Sequence, residues 1–253
     1  MTTPAHEPGP WLRRARPLLG TLLEIGVRRS GDLGQAASAA AFDAVRGAQA
    51  CLSRFEPGSD VARFHALRRG ESLTMRPAMQ HVLAAAQALH AATGGGFDIS
   101  LGSAPEGWSC DGATLHKHSD SVRLDLGGIG KGYAVDCAVQ ALLAHGCDAG
   151  WVNAGGDLRA FGDAELPLQL RDEKAGGVRS FATLQGGAFA TSHFDRCSRS
   201  QLASGARTKP VHVHVSVAAP LCLWADALTK VVAISGDCSH PLLARFEASA
   251  WFH

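Results

Sequence analysis

The sequence has no long apolar run and no excess of charge of either sign. No segment approaches the roughly 18 consecutive apolar residues of a transmembrane helix, so we expect no membrane span. The 253 residues have a net charge of +1, which gives no basis for expecting a nucleic-acid partner or binding to an anionic membrane surface. A small anionic ligand needs only local positive charge, and this balance allows it.

Targeting and cross-linking signals are also missing. The N-terminal residues contain no apolar core of a signal peptide and no cysteine in a lipid-modification motif. The seven cysteines are odd in number and form no C-x-x-C pair, which favours buried thiols in a reducing compartment. We therefore expect a cytoplasmic protein, with a flexible segment over residues 1–16 and one domain over residues 17–253.

Helical and strand patterns follow one another without a regular strand–helix repeat. Apolar residues recur about every 3.6 positions in four segments, which predicts helices over residues 36–55, 77–93, 133–145 and 223–234. Alternating apolar residues predict strands within residues 18–28, 150–161, 165–190 and 211–219, and a hairpin over residues 111–126. The mixture predicts an α+β (mixed α/β) fold, with mixed sheets and packed helices in one domain.

The most distinctive segment covers residues 124–136, L-D-L-G-G-I-G-K-G-Y-A-V-D. Glycines before a helix let a ligand approach bare backbone, the helix N-terminus attracts anions, and Lys131 adds a positive charge. The glycine spacing matches neither the dinucleotide fingerprint nor the Walker motif, so a structural turn and a phosphate site fit equally well. Asp125 and Asp136, and Asp157 downstream, fit backbone caps and ligand contacts equally well.

Seven short segments occur in order along the chain and together indicate a family. They are Leu18-Leu19-Gly20-Thr21, Cys51-Leu52-Ser53-Arg54-Phe55 with Ser59, residues 93–98, residues 124–136, residues 152–157, Ala190-Thr191-Ser192 and Ala225-Asp226-Ala227-Leu228. Each motif is short, but the ordered set over residues 17–236 resembles the ApbE family, the FAD:protein FMN transferases.

This resemblance implies a reaction, its substrates and a metal. Members of the family cleave the pyrophosphate of FAD, attach FMN by a phosphoester to a threonine or serine hydroxyl of a target flavoprotein, and release AMP. A divalent metal, usually magnesium, lies near the pyrophosphate. The chemistry is phosphoryl-type transfer, so we expect positioning and charge neutralisation to dominate catalysis.

The resemblance also implies roles for individual residues. The residues expected to contact FAD are Leu19, Gly96, Phe97, Asp98, Lys131 and Gln201. The groups expected to hold the metal are the carbonyl of Gly128 and the carboxylate of Asp226. Leu19 stands where the family usually has methionine. If the family motif is disregarded, Phe97 is more simply interpreted as an aromatic residue of the hydrophobic core.

One departure from the family pattern falls on the metal site. The family motif A-D-A-x-x-T places a metal-binding threonine four residues after the aspartate, whereas this sequence has Lys230 there. Residues i and i+4 share one face of a helix, so the Lys230 ammonium is expected beside Asp226. A hard cation needs oxygen ligands, which an ammonium cannot supply. Asp226 and Lys230 are therefore the expected catalytic pair, with Lys230 a candidate replacement for the magnesium ion.

A second departure is the missing H-[I/V]-I-D-P-x-T-G stretch before the last predicted strand. Gln201 is the residue expected to take the place of its FAD-contacting histidine. His212 and His214 lie just downstream on one strand face. Three interpretations of this pair stay open: they replace the family histidine, they bind a metal, or they are surface residues.

Three functional hypotheses fit these residues. The first is an FAD:protein FMN transferase, whose partners are FAD and a target flavoprotein. The second is an FAD-binding protein on the same scaffold with weak or no transferase activity, in which Lys230 replaces the metal. The third ignores the family and is a metal-dependent phosphohydrolase that uses Asp98, Asp125 and Asp226.

Overall fold

The computed structural model describes residues 10–171, 176–194 and 214–253 of the chain. The strands found there are β1 (Leu12–Leu18), β2 (Thr21–Val27), β3 (Ser72–Thr74), β4 (Trp108–Asp111), β5 (Thr114–Lys117), β6 (Gly150–Ala154), β7 (Asp157–Arg171), β8 (Val178–His193), β9 (His214–Ala219) and β10 (Ser249–Phe252). The helices are α1 (Gly31–Leu52), α2 (Asp60–Ala66), α3 (Pro77–Ala92), α4 (Gly130–Ala144), α5 (Cys222–Ser235) and α6 (Leu242–Arg245).

A seven-stranded sheet forms the centre of the fold. Its strand order is β1-β2-β6-β7-β8-β9-β10, and every neighbouring pair is antiparallel. A smaller antiparallel sheet has the order β3-β5-β4. Helices α4 and α5 contact each other and the large sheet, and α1 packs against α4. This arrangement agrees with the expected mixture of sheets and packed helices.

Strand β1 begins at Leu12, ahead of the expected domain boundary at residue 17. This strand pairs with β2 in an antiparallel register that places Leu12 opposite Val27. The chain reverses at Leu19 and Gly20, whose φ angles are 55° and 69°, as a type I′ hairpin turn requires. Leucine rarely adopts positive φ, so the continuous apolar pattern conceals the turn and predicts one strand instead of two.

The four predicted helices are all present, but their ends differ from the expected ones. Helix α1 begins at Gly31, earlier than residue 36, and α4 begins at Gly130, inside the glycine segment itself. Helix α5 ends at Ser235 and is followed by Gly236, whose φ of 67° is the left-handed conformation common after a helix C-terminus. Among the helices in the described part of the chain, none is long and apolar enough to cross a membrane.

Two hydrophobic cores meet at helix α5. One core lies among α2, α3 and the small sheet and includes Phe64, Leu89 and Leu115. The other lies between α1, α4 and the large sheet. Helix α5 contributes Leu228 to the first core and Ala225 to the second. The position of Asp226, which lies between these two residues in sequence, is therefore fixed from both sides.

Gly132 lies where α4 approaches the first turn of α5. A Cβ atom at this position would be 2.2 Å from the carbonyl oxygen of Cys222 and 2.9 Å from Cβ of Asp226. Because the nearest atom belongs to backbone, Gly132→Ala must push the two helices apart. We expect Gly132→Ala to lower the free energy of unfolding by about 1–3 kcal/mol, measured by urea denaturation.

Gly47→Ala provides the matched control for this substitution. Gly47 lies within α1, and a Cβ atom there would have no atom within 4 Å apart from its chain neighbours and the backbone of its own helix. Alanine is the better helix former, so Gly47→Ala should leave the stability unchanged or raise it by about 0.5–1 kcal/mol. Equal urea midpoints for the two variants would contradict the packing role of Gly132.

Candidate functional site

A cleft of about 930 Å³ opens beside the β1–β2 turn, the C-terminal end of α1 and the N-terminal end of α4. Its volume lies within the range of about 300–1,000 Å³ that is typical of small-molecule sites. The predicted site residues that line it are Leu19, Gly96, Phe97, Asp98, Gly128, Lys131 and Lys230. Asp226 is fully buried and contacts Lys230, and Gln201 lies outside the described residues.

Phe97 and Asp98 form part of the wall of this cleft, but their side chains are mainly engaged in contacts within the protein. Phe97 is 4% exposed and belongs to the core around α2 and α3, so the interpretation as a core aromatic fits its ring. The Asp98 carboxylate accepts hydrogen bonds from the backbone N–H groups of Ser100 and Gly102, and from the Ser100 hydroxyl, at 2.7–2.9 Å. Asp98 therefore holds the loop over residues 98–102 in place.

Lys131, on the first turn of α4, forms an ion pair with Asp157 at the start of β7. Asp157 is 1% exposed, whereas the Lys131 side chain is about one-third exposed at the cleft. Burial alone would lower the pKa of Lys131, but the carboxylates of Asp157 and Asp226 raise it above its ordinary value. The Lys131 ammonium therefore stays charged where a ligand can reach it, with Asp157 as its buried counter-ion.

Lys230 and Asp226 form a second ion pair on the face of α5, so the expected proximity of these two side chains is confirmed. The Lys230 ammonium contacts Oδ1 of Asp226, and it donates to the Asp226 carbonyl and to the Ser192 hydroxyl, each at 3.0 Å. Oδ2 of Asp226 accepts the backbone N–H of Gly132 at 3.1 Å. This last bond joins α5 to the first turn of α4.

The two buried carboxylates have opposite pKa shifts. Burial raises the pKa of Asp157, and the negative charge of Asp226 raises it further, against the opposing effect of Lys131. Burial would also raise the pKa of Asp226, but Lys230, Lys131 and the Gly132 N–H together lower it. The Asp226 carboxylate is therefore the more firmly ionised of the two, and it is held by two cations and one backbone donor.

The arrangement of the glycine segment, the two ion pairs and the cleft can be compared with known proteins. The sequence model of the ApbE family matches residues 19–121 and 105–250, which together include most of the chain. The chain belongs to the ApbE family.

Relatives in the ApbE family are distant in sequence but close in fold. Curated proteins named FAD:protein FMN transferase match from Rhodobacter capsulatus (26% identical, 74% of this chain and 44% of that protein) and Chlamydia pneumoniae (31% identical, 47% and 41%). The chain therefore spans less than half the length of these curated relatives. The apo flavinyl transferase ApbE of Pseudomonas stutzeri superposes with a TM-score of 0.79 at 23% identity, over 96% of this chain and 90% of that one. The predicted α+β fold is confirmed.

The expected metal groups of this ApbE-family chain were the Gly128 carbonyl and the Asp226 carboxylate. A Cβ atom at Gly128 would lie 3.2 Å from Cε of Lys230, so the lysine side chain runs along this backbone. Two unit charges about 4 Å apart interact by about 4 kcal/mol at an effective dielectric of about 20, and a divalent ion doubles the repulsion from an ammonium. With Lys230 in place, Gly128 and Asp226 do not fit a magnesium ion.

The three carboxylates of the phosphohydrolase hypothesis also fail to form a metal site. Asp98 is engaged in its own loop, and Asp125 pairs with Arg54 at 3.2 Å and accepts the N–H of Gly127 at 2.8 Å. Asp226 faces Lys230 instead. In the part of the chain that the structure describes, no three His, Cys, Asp or Glu side chains could hold a metal ion together. The structure therefore gives no support to this hypothesis.

Asp136 turns out to be a structural cap, one of the two roles that the sequence left open. Its carboxylate accepts the backbone N–H groups of Cys222 at 3.0 Å and Leu223 at 2.9 Å, at the start of α5. It also accepts a hydrogen bond from Arg159 at 2.8 Å. Burial raises the pKa of Asp136 despite these contacts. Asp136 on α4 thus sets the position of α5, and with it the position of Lys230.

Asp136→Ala should lower the free energy of unfolding by about 0.5–2 kcal/mol, the usual cost of losing a helix N-cap. The loss has a second cause, because Arg159 would be left without its carboxylate partner. Urea denaturation measures the effect, with Asp32→Ala as the control. Asp32 is exposed in the first turn of α1, whose N-terminus has no side-chain cap. A destabilisation by Asp32→Ala as large as that by Asp136→Ala would contradict the capping role.

His193 is a cleft residue that the sequence did not single out. It lines the cleft together with Thr191, two residues earlier on the same face of β8. Its ring stacks on that of His214, its partner in β9, with ring centres 4.2 Å apart and planes within 5°. His214 is therefore a neighbour of a cleft residue, and His212 lies outside the described residues. Only the strand pairing, which the sequence does not give, brings His193 to this wall.

Proposed function

We propose that this chain is an FAD:protein FMN transferase, which transfers FMN from FAD to a threonine or serine hydroxyl of a target flavoprotein and releases AMP. The names of its curated relatives support this function, and so does membership of the ApbE family. The observation that contributes most is that residues from four distant segments, around Leu19, Phe97, Lys131 and Lys230, line one cleft of suitable size.

The proposed reaction builds up negative charge on phosphoryl oxygens that lie near Lys131 and Lys230. The acceptor oxygen attacks the phosphorus of the FMN half of FAD, one P–O bond forms, and the bond to the bridging oxygen breaks. The acceptor hydroxyl loses its proton to water, and AMP leaves with the bridging oxygen. Charge on the phosphoryl oxygens is stabilised by preorganised positive groups, which here are the ammonium groups of Lys131 and Lys230 and the N-terminus of α4.

Each further site residue has a defined part in this proposal. Leu19, Gly96, Phe97 and Asp98 form the wall against which the flavin or the adenine lies. Asp226 holds Lys230, and Asp157 holds Lys131, so both aspartates position cations and do not contact the ligand themselves. Because Gly128 and Asp226 do not fit magnesium, no step of the proposed reaction is assigned to a metal ion.

A second candidate is an FAD-binding protein on this scaffold with weak or no transferase activity. The observation behind it is that Lys230 lies where the family motif has a metal-binding threonine. It shares the FAD cleft and the two ion pairs with the first candidate. The two differ only in whether the bound FAD is cleaved.

Product analysis separates these functions. The purified chain is incubated with FAD and a flavoprotein that carries an acceptor threonine, and the products are resolved by chromatography and intact-protein mass spectrometry. The transferase predicts AMP and covalently bound FMN in equal amounts, and neither product when the acceptor threonine is replaced by alanine. Binding of FAD without AMP supports the second candidate, and AMP with free FMN and no labelled acceptor indicates hydrolysis.

A further inference from the structure

The Lys230 ammonium occupies a position surrounded by oxygen atoms. Its three partners are a carboxylate oxygen and the main-chain carbonyl of Asp226 and the hydroxyl of Ser192. All three residues are buried, with exposed fractions of 0% for Asp226, 4% for Ser192 and 5% for Lys230. Carboxylate, carbonyl and hydroxyl oxygens are the ligands that hard divalent cations take from proteins. A cation position is therefore present, and the chain's own ammonium fills it.

A hydrogen-bond network fixes the oxygens of this position. The Thr229 hydroxyl donates to the Asp226 carbonyl at 2.6 Å. Its only proton is used there, so the 2.7 Å contact between Ser192 and Thr229 has Ser192 as the donor. The lone pairs of the Ser192 oxygen are then directed at Lys230. Ser192 and Thr229 are positioning residues that orient the acceptors of the ammonium.

The charges of the site balance without a metal. The buried carboxylates of Asp157 and Asp226 face the ammonium groups of Lys131 and Lys230, two negative charges against two positive ones. In the ligand-free chain, a divalent ion added to this group would leave two uncompensated positive charges in a largely buried place, which proteins avoid. The diphosphate of a ligand in the cleft would meet the exposed Lys131 ammonium directly. The three N–H donors of Lys230 are already used by Asp226 and Ser192, so Lys230 would act on the diphosphate through its charge.

The glycine at position 128 matches this interpretation. The Lys230 side chain lines the cleft, and its methylene groups pass within 3.2–3.7 Å of the place that a Cβ atom of residue 128 would occupy. A glycine there leaves room for the lysine chain to reach Asp226. The absence of a side chain at Gly128 and the three oxygen atoms around the ammonium are separate features, and each of them accommodates a lysine at position 230.

We propose that Lys230 is the resident cation of this site, so that the FAD diphosphate is bound without a divalent metal ion beside Asp226. The proposal rests on the proposed function only for the identity of the ligand. The exclusion of a divalent ion concerns this chain's own residues, and it can be measured with no flavin present.

The first test is a titration of the flavin-free chain with Mn²⁺, followed by electron paramagnetic resonance. The wild-type chain should bind no Mn²⁺ at this site. Lys230→Thr should bind one Mn²⁺ per chain at least tenfold more tightly than the wild-type chain does, because Asp226 and the new hydroxyl become available as oxygen ligands. The matched control is Lys131→Met, which removes the other ammonium without supplying an oxygen ligand and should gain none. One tightly bound Mn²⁺ per wild-type chain, or no gain in folded Lys230→Thr, would overturn the proposal.

The second test measures FAD affinity by isothermal titration calorimetry in EDTA and in MgCl₂. For the wild-type chain the two dissociation constants should agree within twofold. Lys230→Met keeps the length of the side chain but not its charge, and it should weaken FAD binding at least tenfold in both buffers. A tenfold or greater gain in wild-type affinity from magnesium contradicts the role of Lys230, whether or not the variants fold.

The two proposals fail in different ways. Absence of AMP and of labelled acceptor in every buffer would end the proposed function, yet the Mn²⁺ titration would still decide the role of Lys230. Transfer that requires magnesium would leave the proposed function standing and would refute Lys230 as the resident cation.

Discussion

Lys131→Met should lower both the stability of the fold and the affinity for FAD. Asp157 would stay buried at 1% exposure with no ammonium beside it, and breaking a buried ion pair from one side costs about 3–5 kcal/mol. In the proposed function Lys131 also donates a charge-assisted hydrogen bond to the FAD diphosphate. Loss of such a bond, worth about 1.5–3 kcal/mol, corresponds to weaker FAD binding by about 10- to 150-fold. Urea denaturation and calorimetric FAD titration measure the two losses separately.

The double variant Lys131→Met, Asp157→Asn separates the two roles of Lys131. Removing the unpaired charge should recover most of the lost stability, because both ionised partners are then gone. FAD affinity should stay low, since the ammonium that faces the cleft is still absent. Recovery of FAD binding together with stability would show that Lys131 acts only through the ion pair and not on the ligand.

Asp226→Asn is the second substitution with a large expected effect. It leaves the Lys230 ammonium, whose side chain is 7% exposed, without its carboxylate, so we expect a loss of about 3–5 kcal/mol in the free energy of unfolding. The variant should also bind FAD more weakly, because Lys230 and the first turn of α4 lose the group that joins them. Asp226→Asn with Lys230→Met should recover stability, as the paired change removes both charges.

The effect of Asp226→Asn should depend on pH. The pKa of Asp226 is lower in the fold than its ordinary value. The stabilisation by this carboxylate is therefore fully present above the ordinary aspartate pKa of about 4 and is lost as the pH falls through the lower folded value. The stability difference between wild type and variant, followed by urea denaturation from pH 7 downward, should shrink in acid. A difference that stays constant would contradict the ion-pair account.

Local sequence patterns were sufficient for much of the fold and for the ion pair of the cleft whose two residues are close in sequence. The four long helices follow from apolar spacing, and Lys230 lies beside Asp226 because residues i and i+4 share a helix face. The ends of these elements are less predictable. Gly130 and Gly132 lie inside α4, where a glycine pattern indicates a turn, because the close approach of α5 requires Gly132 to have no side chain.

Contacts between distant segments could not be predicted from the chain. The Lys131–Asp157 pair joins a helix to a strand, and Asp136 caps a helix that begins far downstream. His193 reaches the cleft wall only through the order of strands in the large sheet. The turn at Leu19 was concealed because its residue type does not match its backbone conformation. Such features depend on tertiary packing, which leaves no periodic signal in the sequence.

A single transfer reaction in EDTA tests most directly the claim that this chain moves FMN with its own lysines as the cations of the site. The reaction contains the purified chain, FAD and an acceptor flavoprotein, and covalent FMN and AMP are measured together. Both products are expected in equal amounts, at a rate that magnesium changes by less than twofold. No transfer in EDTA, with transfer restored by magnesium, would contradict this claim.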